Sequence, residues 1–464
     1  MKRLLHTVLT AVLICSALLT HACKNKSESG DQSADSLSSR LHDTIVVGTL
    51  YSPTSYFLYK GDLMGYHYDL ISKFAKDKGL AVEFKVTRNM ASLIELLDSA
   101  KIDVIAYSIP VTAEYKELLR HCGSEIITHQ VLVQPENKGD MLITDVTQLV
   151  GRTIYVEQGS KYESRLHNLN NELGGGINIK TIKHDSIMTE DLIEMVANGK
   201  IPLTVTDSDI AKLDHTYYDN IDIDLEISFP QKSSWAVNPS DTLLANAITA
   251  WAKTDSIQQL ERQLFRQYFE KSKINRGKVL DFKHLAKGHI SEYDEFFKKY
   301  AANIGWDWRL LAAQAYIESR FDPYATSWAG ARGLLQMMPA TARRYGLSMN
   351  DITDPELNIA AATRSIADLD KSLKKYVSND KERINFILAA YNSGIAHIYD
   401  AIALAGKYGK NPTVWHGNVS EALLLKANPD YYNDEVCKFG YFRGKQTVAY
   451  VEEVTRIYDI FKQQ

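Results

Sequence analysis

A single carboxylate, Glu318, stands near the end of the run AAQAYIES, which covers residues 312–319. Trp308, Leu311, Ala312, Ala315 and Tyr316 recur at i, i+3, i+4 spacings, which predicts a helix carrying the acid close to its C-terminus. Phe321-Asp322-Pro323 is expected to end that helix, because proline disfavours the α conformation of the residue before it. A loop of small residues follows (Ser327, Ala329, Gly330, Ala331, Gly333), and Pro339 suits the first turn of the next helix. Glycines there let backbone approach a ligand closely. An acid between an apolar helix and such a loop is expected to have a raised pKa and to be able to donate a proton near neutrality. Alone, a glutamate at a helix end is usually a solvated charge, so the reading depends on its company.

The nearby acids Asp322, Asp351, Asp354 and Glu356 fall in loop or cap contexts and read as structural. Most glycosidases set two carboxylates about 5–10 Å apart; a one-acid site can cleave a glycoside when the substrate supplies the nucleophile. Four ordered motifs accompany the acid: Glu318-Ser319, then GLLQMMP from Gly333 to Pro339, AYNSG from Ala390 to Gly394, and QTVAYV from Gln446 to Val451. Together they resemble the catalytic core of the soluble-lytic-transglycosylase family, related to goose-type lysozyme. The resemblance implies that Glu318 is acid and then base in peptidoglycan cleavage. It also implies that Ser319, Ser327, Gln336, Met338, Tyr391, Asn392 and Tyr450 contact glycan. Packing alone would also account for Met338 and Tyr450. Gln446 stands where the family commonly has Glu, which keeps hydrogen bonding and loses charge.

These motifs occupy only the end of a 464-residue chain, and that length calls for two or three units. Hydrophobic content of 45% and charged content of 24% are ordinary for globular protein. A net charge of −4 gives no electrostatic reason for nucleic-acid binding. From Asp43 the pattern alternates: strands near 44–50, 81–86 and 102–107, with helices at 68–78 and 91–99. A second cluster has strands near 153–156, 177–182 and 201–206, with helices from Lys161 and over 189–198. Such alternation predicts two α/β lobes with largely parallel sheets and a cleft between them.

The runs GYHYDL from Gly65, KIDVIA from Lys101, GRTI from Gly151 and VEQGS from Val156 resemble a periplasmic solute-binding protein of the amino-acid-binding type. That resemblance places a ligand near Tyr56, Ser108, Thr112, Gly159, Ser160 and Asp207. Gly159-Ser160 precedes a helix whose N–H groups can hold a carboxylate, and Asp207 can take an ammonium group. The family usually has Arg three residues after the Thr matched by Thr112, whereas this chain has Tyr115. Lys116 does not replace a bidentate guanidinium, so a free amino acid is not the expected ligand; a peptide, a muropeptide or no small ligand at all are the options.

Lys2 and Arg3 precede an apolar run from Val8 to Leu19 that is too short for a convincing span. Thr20-His21-Ala22-Cys23 resembles a bacterial lipoprotein cleavage site, which implies a signal peptide over 1–22 and lipidation at Cys23. Residues 23–42 are Ser-rich and polar, a tether reaching about 25 Å root-mean-square. Cys122 and Cys437 lack metal-site spacing, and no metal or cofactor is expected. The expected organisation is multidomain. A bilobal α/β periplasmic-binding-protein-like domain spans 43–270 (second lobe about 140–225), and a connector spans 271–290. A mostly α lysozyme-like domain follows over 291–464, with helices near 292–302, 307–319, 339–345, 355–376, 382–391, 393–405 and 446–461. Asp354-Pro355 and Asn392-Ser393 look like helix starts.

The resemblances together imply a periplasmic enzyme, lipid-anchored to the outer membrane, acting on peptidoglycan strands. Its product would be a 1,6-anhydro-MurNAc end, and its first domain would sense a cell-wall fragment. A muramidase, or a receptor with an inactive lytic domain, are the alternatives.

Overall fold

The computed structural model describes residues 43–52, 54–87, 90–136, 141–182, 189–271 and 288–463. The signal segment, the tether with Cys23 and most of the connector lie outside the described residues.

In chain order the strands are β1 (Thr44–Leu50), β2 (Phe57–Tyr59), β3 (Asp62–Met64), β4 (Ala81–Thr87), β5 (Val104–Pro110) and β6 (Arg120–Thr128). They continue with β7 (Gln130–Pro135), β8 (Thr153–Glu157), β9 (Asn178–Ile182), β10 (Thr204–Asp207), β11 (Ile221–Asp222) and β12 (Gln231–Val237). One five-stranded sheet has the order β4-β1-β5-β12-β6 and a second β11-β7-β10-β8-β9, while β2 and β3 form a separate hairpin.

Two compact units divide the chain. The first comprises the described residues of Asp43–Thr49, Asp69–Glu125 and Ser234–Gln258. There β1 and β5 run parallel with Val47 opposite Val104. Ile45, Val47, Val104 and Ile105 are fully buried, as are Ile71 and Phe74 of the helix Tyr66–Asp77. Phe74 meets Trp251 edge-on at 5.4 Å.

The second unit holds the described residues of Leu50–Tyr68, Ile126–Ser233 and from Gln259 on. Its sheet is covered on both faces, because successive side chains of a strand point to opposite sides. Leu132, Ile154 and Val205 pack with Leu166 and Leu169 of the helix Lys161–Glu172. Val133 faces the other way, with Leu192, Ile193 and Val196 of the helix Thr189–Ala197.

The expectation of largely parallel sheets is corrected here. Although β8 pairs parallel with β9 and β10, β7 runs antiparallel to both β10 and β11. A strand such as β7, buried almost throughout, has an apolar run that does not record its direction.

The helical part of this unit is organised around the helix Trp308–Ser319. Asp307 caps its start by accepting from the Arg309 N–H at 2.9 Å. Leu310 to Tyr316 are all buried, so this helix is surrounded rather than merely amphipathic. Around it lie Phe297, Leu334, Ile359, Phe386, Val451, Val454 and Phe461.

The acid-bearing helix ends at Ser319, where the sequence reading put its end, but Arg320, in the left-handed region at φ 56°, makes the stop before Pro323 is reached. One expected boundary moves. Asn392-Ser393 does not begin a helix: the helix Asp380–Ser393 runs through it, and Gly394 at φ 91° starts the helix Ile395–Lys407. Asp354 caps the helix Pro355–Leu373, in line with the sequence reading. Short helices at Ser420–Leu425 and Pro429–Tyr432 had no sequence expectation. Among the described residues no helix is long and apolar enough to cross a membrane, and Cys122 and Cys437 are free thiols.

Candidate active site

Glu318 lies in the last turn of the helix Trp308–Ser319, and its side chain is only 7% exposed. The C-terminal helix Gly444–Phe461 supplies Tyr450, whose hydroxyl donates to Glu318 Oε1 at 2.8 Å. Burial and the neighbouring Glu318 carboxylate push the phenols of Tyr450, Tyr391 and Tyr59 up, so all three stay neutral hydroxyls.

The backbone around the acid is strained. Arg320, Phe321 and Gln336 all have positive φ (56°, 63° and 45°) without being glycine. Such conformations persist only where surrounding packing holds them. Here the Arg320 guanidinium stacks on Tyr316 at 4.2 Å, and Phe321 packs between Phe297 and Phe461. Gln336 donates from its amide to the carbonyls of Ala325 (3.0 Å) and Gly333 (2.9 Å). Gly333 must be glycine, since a Cβ would lie 2.2 Å from the Asn358 amide. Buried Asn358 in turn accepts from Leu335 N–H and donates to Ile352 C=O, pinning the loop that carries Gln336.

The glycan residues expected from sequence divide between two grooves. With Glu318, the larger groove is lined by Ser319, Ser327, Gln336, Asn392 and Tyr450, together with Trp328 and Gln446. A second groove is lined by Met338, Tyr391 and again Gln336, with Thr341, Arg344 and Tyr345. The Ser319 hydroxyl donates to Ala315 C=O within its own helix, and the Ser327 hydroxyl accepts from Ala331 N–H. Tyr391 donates to Leu335 C=O at 2.7 Å. Asn392 accepts from Thr447 at 2.7 Å, which makes Thr447, rather than Gln446, its partner in the last motif. Two other acids line the larger groove. Asp322 accepts from Tyr324 N–H, and Glu453 is paired with Arg456 at 2.6 Å.

What sequence reasoning missed is Lys60. The β2–β3 hairpin turns through Lys60 and Gly61, both with positive φ (49° and 89°), as in a type I′ turn. Its tip lines both grooves, with Lys60 common to the two. Lys60 Nζ donates to Glu318 Oε2 at 3.1 Å and Oε1 at 3.4 Å, with both side chains 7% exposed. Tyr59 packs on Trp328 at 5.2 Å, and Leu58 C=O meets His397 Nε2 at 3.1 Å. A Cβ on Gly394 would lie 2.7 Å from Gly61 N, so the glycine of the AYNSG motif admits the hairpin turn. The run FLYKGDLM, apolar on either side of a Lys-Gly pair, signals a hairpin, but nothing local signals its partner 258 residues away.

The solute-site residues fall in both units. Ser108 lies in β5 and Thr112 caps the helix Ala113–Leu118, both in the first unit. The second unit holds Tyr56, packed against Tyr51 and Tyr68. It also holds Ser160, which caps the helix Lys161–Glu172 by accepting from Glu163 N–H. Gly159 N–H donates to Glu163 Oε2 at 2.6 Å, and Asp207 is paired with Lys161. A ligand carboxylate or ammonium would therefore have to displace Glu163 or Lys161. Among the described residues no group of His, Cys, Asp or Glu is placed to hold a metal.

Residues 295–414 match the transglycosylase SLT domain family, and residues 44–272 match family 3 of the bacterial extracellular solute-binding proteins. A membrane-bound lytic murein transglycosylase F from Desulfosudis oleivorans is 33% identical over 428 residues, spanning 92% of this chain and 91% of that one. Proteins of the same description from Pseudomonas fluorescens and Aeromonas salmonicida are 31% identical, spanning 89% and 90% of this chain and 84% and 82% of theirs. A solved ancestral cationic amino acid solute-binding protein aligns with 51% of this chain and 99% of its own, at 21% identity and a TM-score of 0.44. Since the similarity runs through both matched domains and nearly the full length of the relatives, this chain belongs to the membrane-bound lytic murein transglycosylase F family.

Proposed function

We infer that this chain is a peptidoglycan lytic transglycosylase that cleaves the MurNAc-β-1,4-GlcNAc bond with Glu318 as its acid and base. The observation that carries the residue assignment is the single buried carboxylate. Of the acids lining the larger groove, Asp322 and Glu453 are exposed, whereas the Glu318 side chain is 7% exposed, with an oriented phenol on it and Lys60 beside it. One carboxylate suits substrate-assisted cleavage, an exception to the two-carboxylate rule. Protonated Glu318 gives its proton to the glycosidic oxygen as the C1–O bond breaks, and the MurNAc acetamido carbonyl assists at C1. The carboxylate then takes the proton of the C6 hydroxyl, whose oxygen closes the 1,6-anhydro ring. No water is consumed. Mass spectrometry of digested peptidoglycan tests this: products about 18 Da below hydrolytic muropeptides, absent with Glu318→Gln, are expected. Hydrolytic products would instead make the enzyme a muramidase.

The reading extends to control. Lys60 belongs to the region matching the solute-binding family, yet its ammonium sits on the acid of the transglycosylase domain. A glycan strand crossing from one groove to the other would meet the hairpin tip. Release of the hairpin when the solute-binding domain takes a cell-wall peptide or muropeptide would free Glu318, giving that ligand the differential affinity that coupling requires. The family places the chain in the cell envelope; lipidation at Cys23, holding both domains in the periplasm at the outer membrane, completes the proposal.

A further inference from the structure

Trp328 stands on the wall of the larger groove, in the loop that follows the acid-bearing helix. The turn that carries it is tied on several sides. Gly330 N–H donates to Ser327 C=O at 3.1 Å, and Ser327 N–H to Ala331 C=O at 2.9 Å. Ala331 N–H donates to the Ser327 hydroxyl at 3.0 Å, and Gly330 closes the turn at φ 89°. The indole is therefore half-buried on fixed backbone, beside the groove that contains Glu318.

Tyr59 of the hairpin packs against it, with ring centroids 5.2 Å apart at 54°, and Tyr268 meets it edge-on at 6.1 Å. The next hairpin residue, Lys60, places its ammonium on Glu318 at 3.1 Å. Consecutive residues thus set a six-membered ring against Trp328 and a proton-sharing heteroatom against the acid. A glycan strand in this groove would offer the same pair, a pyranose ring and the glycosidic oxygen beside it. The ring substituents of β-1,4-linked GlcNAc and MurNAc are equatorial, so their faces are axial C–H bonds. Those weakly positive hydrogens suit the negative face of an indole.

We propose that Trp328 is a stacking platform for the sugar ring adjoining the scissile bond, and that Tyr59 covers the platform in the sugar's place while the hairpin is seated. The proposal rests on the larger groove being the glycan site. A role in packing the hairpin alone makes a different prediction.

The test compares Trp328→Leu with Trp328→Phe in the full chain, each in a Tyr59→Ala background where the hairpin ring no longer meets the indole. Rates are measured on soluble glycan strands, with thermal unfolding in parallel. Trp328→Leu is expected to raise KM about tenfold and to keep kcat within about twofold, the pattern of binding lost equally from ground and transition states. Trp328→Phe keeps an aromatic face and is expected to stay within about threefold of the background. If the leucine variant does not fold, Trp328→Gln takes its place. A KM within about twofold of the background would overturn the platform and leave Trp328 as packing for the hairpin. So would a phenylalanine variant as weak as the leucine one. A second readout needs no turnover: affinity for a GlcNAc–MurNAc tetrasaccharide in chains that also carry Glu318→Gln, where Trp328→Leu should weaken binding about tenfold. If that weakening held while wild type released no anhydro product, the catalytic reading would fail and the platform would stand.

Discussion

Replacing Lys60 with Met keeps the aliphatic stem of the hairpin tip and removes the charge facing Glu318. At 3.1 Å and an effective dielectric of about 20, the direct attraction is about 5 kcal/mol before desolvation is counted. Both groups are desolvated in the pair, so the net contribution is nearer the 1.5–3 kcal/mol typical of a hydrogen bond to a charged group, about 2 kcal/mol. Loss of about 2 kcal/mol shifts the ratio of closed to open hairpin about 30-fold. With the closed form predominant, muropeptide release from purified sacculi by the full chain should rise by up to about that factor, the ceiling being full opening. Lys60→Glu should raise it further, because a second carboxylate would face Glu318 across the same gap. The assay is the initial rate of anhydro-muropeptide release at pH 7, with circular dichroism to establish folding. If both variants are folded and neither exceeds wild type by more than about twofold, the hairpin does not restrain the enzyme, and the 2 kcal/mol assigned to the pair is wrong. A fall in rate would assign Lys60 to substrate binding instead.

Two further perturbations probe the unit that carries the site. Arg443, just before the C-terminal helix, pairs with fully buried Asp214 at 2.6 Å and lies over Tyr217 at 4.8 Å. Asp214→Ala would leave the guanidinium without that carboxylate, and a loss of about 3 kcal/mol in unfolding free energy is expected by denaturant titration; a loss below about 1 kcal/mol would refute the pair as a structural tie. His67 and His397 are both buried, which pushes His67 down to about 3 and His397 well below its ordinary value. Below the unfolded value of about 6.5 the unfolded chain binds protons that the folded chain does not, so stability rises with pH in that window and is lost on acidification. From pH 7 to pH 5 each histidine should cost about 2 kcal/mol, and His397→Phe should remove its share of the slope.

The parts legible in the sequence are those fixed by neighbours in the chain. The periodicity from Trp308 to Tyr316 yields a real helix, and Asp354-Pro355 starts another, because caps and amphipathic spacing act within a few residues. Direction and termination were less legible. The strand Gln130–Pro135 is buried nearly throughout, and its sequence does not say whether its partners run with it or against it. The end of the acid-bearing helix at Ser319 was legible, but its cause was not: Arg320 and Phe321 form a left-handed pair, and rings from Phe297 and Phe461 pack on Phe321. Asn392-Ser393 reads as a cap by residue type. In the fold the Asn392 side chain accepts from Thr447, and Gly394 makes the break that its φ of 91° permits.

The groups around Glu318 show the same division more sharply. The carboxylate, its helix and the Gln336 loop lie within one short stretch, which is why motif and spacing could bring them together. Tyr450 reaches the acid from 132 residues away and Lys60 from 258. A lysine beside glycine in a two-residue turn has a sufficient local explanation, so sequence offers no reason to look for a second one. Gln314 is hidden for the opposite reason: a glutamine in a helix is expected at the surface, and only the fold shows its complete burial. A residue that contradicts what its surroundings would choose is therefore the place to look for a role beyond packing. Lys60 does so by placing an ammonium in a 7% exposed site, and Gln314 by placing an amide in an apolar core.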